Sequence, residues 1–219
     1  PKLVDEIKKT TDCFILNQPF TYINQCIGSK PGNLEAETFI NNFVKKNMRI
    51  LVTGASGLIG TQLCKHLLSK GHSLHILTTK SPRQVENEQT QIFRWDPQNN
   101  DIDDRALEGV EAVTNLAGAK INQRWTTKSK AAILKSRTES TRLLFDIIQK
   151  TQHKVHVINA SAIGIYRSNY NKQYTETDKV FSDAFDGVVV RQWEQEAKQF
   201  EKLSCHTTIL RIGCLLYTS

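Results

Sequence analysis

Long apolar runs are missing from this chain of 219 residues. No stretch approaches the ~18–20 consecutive apolar residues that a membrane helix needs, which excludes a multi-span membrane protein. Cysteine is sparse and its spacing carries no motif. Cys13, Cys26, Cys64, Cys205 and Cys214 form no C-x-x-C, and no Cys/His cluster has zinc-ligand spacing, so no metal site is expected. An odd count without a secretion signal reads as free thiols in a reducing, cytoplasmic compartment. Methionine occurs once, at position 48. Excess charge exists but is not organised. The formal net charge is +7, yet the basic residues are scattered (Lys8, Lys9, Lys45, Lys46, Lys128, Lys130, Lys135, Arg137). With no basic tail and no aromatic-spaced basic stripe, they read as solvated faces rather than a nucleic-acid surface. The remaining composition, 39% hydrophobic and 23% charged, excludes a disordered tail and a collagen-like fibre.

What is present is a change of pattern at Met48. Residues 1–47 are rich in Asn and Gln, carry a Ser-Lys-Pro-Gly turn signal at 29–32, and show helical spacing only over 34–46. They hold no catalytic motif and are expected to be a leader, a fused segment or upstream read-through. From Met48 onward strand and helix patterns alternate. Short apolar runs at 49–53, 74–77, 91–95, 112–116, 155–158 and 207–211 read as strands, and 126–150 and 188–203 as helices. Such alternation predicts an α/β fold with a doubly wound parallel sheet, whose ligands bind at the carboxyl ends of the strands near the switch point.

The chemistry begins in the first turn. Thr53-Gly-Ala-Ser-Gly-Leu-Ile-Gly60 follows the first strand and opens the first helix. Gly54 permits a tight exit from the strand, Gly57 lets backbone N–H groups approach a pyrophosphate, and Gly60 allows close packing of helix on sheet. Ser56, Leu58 and Ile59 lie where the helix dipole holds an anion. An acid ~20 residues beyond the glycines would bond a ribose 2′-hydroxyl. The segment Leu77-Thr-Thr-Lys80-Ser-Pro-Arg83 has none. Thr78, Lys80 and Arg83 offer hydroxyl and cationic donors to a 2′-phosphate instead, so NADP is favoured over NAD.

These residues resemble the extended short-chain dehydrogenase/reductase superfamily, the NAD-dependent epimerases and dehydratases. The Thr53–Gly60 turn is similar to its T-G-x-x-G-x-x-G cofactor turn. Asn115-Leu116-Ala117-Gly118 is similar to the N-x-A-G edge of the cofactor site, and Asp96 stands where the family often places an acid near the adenine. Ala117 through Thr126, Lys130, Ser136, Arg137, Thr141, Ser161 through Gly164, Thr175, Glu176, Trp193 and Glu194 narrow the resemblance to an atypical subgroup called epimerase family proteins or NADP-dependent oxidoreductases. The resemblance covers about 48–213 and implies an NAD(P)-binding Rossmann domain, incomplete at its C-terminal side. A small-molecule substrate is implied, with no nucleic acid and no membrane, and a homodimer is left open for a longer form. Residues 214–219 match one reading frame of a transposon end used in sequencing libraries and are expected to be a non-native tail.

The superfamily's proton-transfer pair, Tyr-x-x-x-Lys, is absent. Four residues after Tyr22, Tyr166, Tyr170 and Tyr174 stand Cys26, Tyr170, Tyr174 and Asp178. Ser161, expected in the loop after the fifth strand, and Tyr166 are the remaining catalytic candidates; a backbone-bonded hydroxyl and a packing role are their alternatives. Glu176 and Glu194 read as acid/base groups or as structural partners, and Arg137 as a member of an ion pair. Two functions stay open: an NADP-dependent oxidoreductase or nucleotide-sugar-epimerase-like enzyme, and a non-catalytic dinucleotide-binding sensor or regulator.

Overall fold

Strand β1, Arg49–Thr53, is buried over its last four residues, as a continuous apolar run requires when both faces of a sheet are covered. The computed structural model describes residues 47–80, 89–169 and 171–213. The expected helix over 34–46, Arg83, and the segment 214–219 lie outside the described residues. After β1 come α1 (Leu58–Ser69), β2 (Ser73–Thr78), β3 (Thr90–Asp96), β4 (Asp101–Ile102), β5 (Ala112–Asn115), α2 (Thr127–Thr151), β6 (His156–Ala162), α3 (Phe185–Lys198) and β7 (His206–Ile212).

The seven strands form one sheet in the order β4-β3-β2-β1-β5-β6-β7. All pairings are parallel except β3 with β4. The order runs outward from β1 to β3, then returns to β5 on the other side of β1. The switch point therefore lies between β1 and β5. Alternate residues of β1 serve opposite faces. Ile50 and Val52 pack with Leu67 of α1, while Leu51 packs with Leu144 and Ile148 of α2 and with Phe200 after α3. The expected doubly wound α/β architecture is what the chain forms. No described helix is long and apolar enough to cross a membrane.

One strand was not expected, and two local expectations need correction. Strand β3 ends at Asp96, and the chain then turns back into the two-residue β4, which pairs antiparallel with it. The Asp96 carboxylate accepts from the Gln98 amide at 3.1 Å and from Asn99 Nδ2 at 2.8 Å, which folds that turn. A two-residue strand is too short to show a period of two. Helix α3 starts at Phe185, before its apolar run, and after Lys198 tightens into a 3₁₀ turn over Gln199–Leu203. Strand β6 runs on to Ala162, so Ser161 is a strand residue, paired in register with Arg211 of β7, and not part of a loop. The polar composition of Asn159-Ala-Ser161 hid this extension.

Candidate functional site

The switch point is held by a chain of buried polar groups. Thr53 ends β1 fully buried, and its hydroxyl donates to Asn115 Oδ1 at 2.7 Å. The Thr53 hydroxyl oxygen in turn accepts from the amides of Leu116 and Ala117 at 3.0 and 3.1 Å. Asn115 Nδ2 donates to Asn159 Oδ1 at 2.7 Å and to Thr141 Oγ1 at 2.9 Å, and Trp193 Nε1 donates to that Thr141 oxygen at 3.1 Å. One polar relay thus ties β1, β5, β6, α2 and α3 together just below the carboxyl ends of the strands. Each donor left unmade there would cost about 1–3 kcal/mol. The sequence motifs include Asn115, Thr141 and Trp193, but their mutual contact depends on three separate crossovers and is invisible in one dimension.

Above the relay sits the glycine turn. Gly54 has φ +67°, and a Cβ there would stand 2.7 Å from the Leu116 carbonyl oxygen. Gly60 lies under the same turn, where a Cβ would come within 2.2 Å of the Gly54 carbonyl oxygen. These two positions admit no side chain, so the β1 turn lies directly on the β5 edge formed by Asn115–Gly118. Helix α1 begins after Gly57 with no side-chain cap and no acid in its first turn. Its N-terminal amides and dipole face outward past exposed Ser56 and Leu58, with Ile59 half-buried beneath. This geometry fits the pyrophosphate of a dinucleotide: a backbone cradle without side chains, at a positive helix end, on the switch point.

On one flank of the crevice, β2 ends at Thr78, in register with Arg94 of β3. The Lys80 amide donates to Thr78 Oγ1 at 3.2 Å, and Lys80 is exposed. No acid occupies the end of β2, as the sequence indicated. Asp96 stands at the end of β3, but its carboxylate serves the β3–β4 turn. The Asn99 hydrogen bond, followed by the backbone amides of the turn, holds its carboxyl below the ordinary range.

On the other flank the two catalytic candidates meet in one network. Ser161 is buried and its hydroxyl donates to Glu194 Oε1 at 2.5 Å. Arg211 clamps the same carboxylate through two parallel bonds of 2.8 Å, Nε to Oε1 and Nη2 to Oε2. Its Nη1 donates to the Tyr166 hydroxyl at 2.5 Å and to the Glu176 carbonyl at 3.3 Å. Tyr166 donates in turn to the Thr175 carbonyl at 2.8 Å and stacks on Tyr174, with ring centroids 4.9 Å apart. Burial opposes ionisation of Glu194, but the hydrogen bonds from Arg211 and Ser161 outweigh it and hold its carboxyl below the usual range. Burial dominates at Tyr166 and pushes its phenol upward, although the Arg211 charge pulls the other way. Ser161 and Tyr166 are therefore brought together, through Arg211 and Glu194, as parts of a hydrogen-bonded lock. Glu194 is the structural partner of both Ser161 and Arg211, and Glu176 contributes its carbonyl to Arg211. Arg211 went unremarked as a site residue in the sequence; the only signal for it is that it faces Ser161 across β6 and β7.

Arg137 departs from the ion pair expected of it. Its Nη1 donates to the carbonyls of Ala119 and Ile133 at 3.2 and 3.0 Å, and its guanidinium lies 5.2 Å from the Trp193 ring centroid. No carboxylate pairs with it among the described residues. Of the cysteines, Cys64 and Cys205 are free. Burial pushes the Cys64 thiol up to about 11, which favours its protonated form.

The geometry has known counterparts. The sequence pattern of the NAD dependent epimerase/dehydratase family matches residues 50–184. An epimerase family protein of Staphylococcus saprophyticus is 37% identical over 169 residues, which is 76% of this chain and 55% of that protein. The chain thus spans about half the length of the curated relatives it matches. Among solved structures, human epimerase family protein SDR39U1 (isoform 2) with NADPH superposes with a TM-score of 0.60 and 26% identity, covering 75% of this chain and 53% of that one. UDP-glucuronic acid 4-epimerase from Bacillus cereus in complex with NAD gives a TM-score of 0.61 at 23% identity, covering 76% of this chain and 56% of that one. A Rossmann-like sheet, a glycine cradle on its switch point and a family pattern over most of the strand–helix region agree: this chain belongs to the NAD dependent epimerase/dehydratase family.

Proposed function

We propose that this chain is the dinucleotide-binding portion of an NADP-dependent oxidoreductase or nucleotide-sugar-epimerase-like enzyme. The observation that carries the reading is the side-chain-free cradle of Gly54 and Gly60 under the uncapped start of α1. Thr53 fixes the Leu116 and Ala117 amides, so the Asn115–Gly118 edge is preorganised beside that cradle. The α1 amides after Gly57, with Ser56, hold the pyrophosphate. Thr78 and Lys80, with Arg83, receive the 2′-phosphate, and Asp96 lies toward the adenine. Solved neighbours carry NADPH in one case and NAD in another, and the acid-free end of β2 is what supports NADP over NAD. The dinucleotide, when bound, supplies hydride transfer at its nicotinamide ring. The Asn115–Gly118 edge and the end of β6 would hold the nicotinamide end of that dinucleotide. The substrate is a small molecule.

A second reading, a dinucleotide-binding sensor without turnover, is favoured by one specific observation. The Ser161 and Tyr166 hydroxyl protons are both donated within the protein, and no Tyr-x-x-x-Lys supplies another proton-transfer pair. Titration with NADPH and NADH, followed by hydride-transfer assays over carbonyl compounds and nucleotide sugars, separates the two. Binding with turnover supports the enzyme, and binding without turnover supports the sensor. Failure to bind either dinucleotide defeats both.

A further inference from the structure

Arg137 is a charge without a counter-charge at the edge of the crevice. It projects from the middle of α2 toward the segment that follows β5. Arginine carries five N–H donors. One nitrogen, Nη1, serves the carbonyls of Ala119 and Ile133; Nε and Nη2 have no partner among the described residues. The contrast with Arg211 is direct. Arg211 is raised above its ordinary range by the Glu194 hydrogen bonds, whereas Arg137 is lowered by burial alone.

The surroundings are built around this guanidinium. A Cβ on Gly118 would lie 3.0 Å from Arg137 Cζ and 3.1 Å from Nη2, so a side chain there would make the guanidinium give way by a few tenths of an ångström. The amide of the next residue, Ala119, donates to Ser136 Oγ at 2.8 Å while its carbonyl accepts from Arg137. Both backbone groups of Ala119 are thus pinned to α2. The Trp193 ring packs against the guanidinium and is itself fixed by its bond to Thr141. A half-buried cation held in one orientation, with free donors and no carboxylate, is an incomplete ion pair. Leaving a buried charge uncompensated is unfavourable, and a bidentate oxyanion is its natural complement.

We propose that Arg137 completes this pair with an anionic oxygen group of a bound ligand, seated over Gly118 at the nicotinamide end of the crevice. This rests on the dinucleotide reading above only for the identity of one candidate ligand. Two sources share the chemistry: a phosphate of the dinucleotide, or an acid group on the substrate. Fluorescence or calorimetric titration of the intact chain with NADP⁺, NAD⁺, inorganic pyrophosphate and D-glucuronate, with and without Arg137→Met, distinguishes them. Loss of NADP⁺ and pyrophosphate affinity by about ten- to a hundredfold, with NADP⁺ and NAD⁺ affected alike, assigns the cofactor phosphate. Retained NADP⁺ affinity with lost glucuronate affinity assigns an acid group of the substrate. Arg137→Lys keeps the charge but not the fork and recovers only part of the affinity. Gly118→Ala, which pushes the guanidinium aside with its charge intact, weakens the same ligand. Should Arg137→Met keep its cooperative melt and bind all four probes as the unmodified chain does, including the case in which neither protein binds any, the assignment is overturned. A chain that binds pyrophosphate or glucuronate through Arg137 but no dinucleotide would defeat the proposed function and leave the anion seat standing.

Discussion

Removing either member of the Glu194–Arg211 pair should destabilise the fold strongly, and Arg211→Met should respond to pH in the opposite sense to the unmodified protein. The Glu194 side chain is 4% exposed and that of Arg211 18%. Breaking a buried pair from one side costs about 3–5 kcal/mol, because the surviving charge stays desolvated. Glu194→Met should fall at the lower end, near ~3 kcal/mol, since Arg211 can draw water at its exposed edge. For a chain of this length, ~3 kcal/mol corresponds to a fall in Tm of about 6–12 °C. In the unmodified protein the carboxyl sits below its unfolded value, so its stabilisation is present at neutral pH and lost as pH falls through the carboxylate range. In Arg211→Met burial is the largest remaining influence on Glu194, against the Ser161 hydrogen bond and the Lys198 charge, and should raise its carboxyl above the unfolded value. That variant should therefore gain relative stability as pH falls, by taking up a proton on folding. The double variant Glu194→Met/Arg211→Met should recover most of the loss, leaving about 1 kcal/mol from the orphaned Ser161 hydroxyl. Urea unfolding between pH 4 and 8 of all four proteins measures both the cycle and the slopes. Single losses under ~1 kcal/mol, or a double variant that shows the simple sum, would refute a coupled buried pair.

Other outcomes follow from single observations. Gly54→Ala meets both a left-handed φ of +67° and a contact of 2.7 Å with the Leu116 carbonyl, so it should cost about 1–3 kcal/mol and remove dinucleotide binding in a titration. Lys80→Ala with Arg83→Ala should weaken NADPH by about tenfold or more while NADH changes little; equal losses would reject the 2′-phosphate assignment. Burial, with the neighbouring His206, lowers His156 from 6.5 to about 4. Between those values the unfolded chain holds the extra proton, so stability should rise with pH across that window, and His156→Asn should flatten the slope in pH-dependent melts.

The parts legible in the sequence are those whose cause is local. The glycine turn was readable because Gly54, Gly57 and Gly60 stand a few residues apart between a strand pattern and a helix pattern. The doubly wound sheet was readable because strands buried on both faces are continuous apolar runs. Strand β4 was not readable, since its existence depends on the Asp96 turn and only two residues pair. The end of β6 was not readable either. Asn159 and Ser161 are polar, yet both are buried, because Asn115 and Glu194 supply their partners from distant segments.

The same distinction explains why the catalytic reading shifted more than the cofactor reading. A cofactor cradle is made of backbone, and backbone geometry is dictated by which residues are glycine. A proton-transfer site is made of side chains whose availability depends on what else reaches them. Ser161 and Tyr166 have suitable chemistry in isolation, but Glu194 lies 33 residues from Ser161 and Arg211 lies 45 from Tyr166. Once those partners arrive, both hydroxyl protons are directed into the protein. Arg137 is the reverse case. Its surroundings in sequence, among Lys135, Glu139 and Arg142, suggest an ordinary helix-surface charge, whereas folding removes it from carboxylates and lays it over Gly118. In this chain the groups that look reactive in one dimension are paired in three, and the charge that looks paired is the one left open.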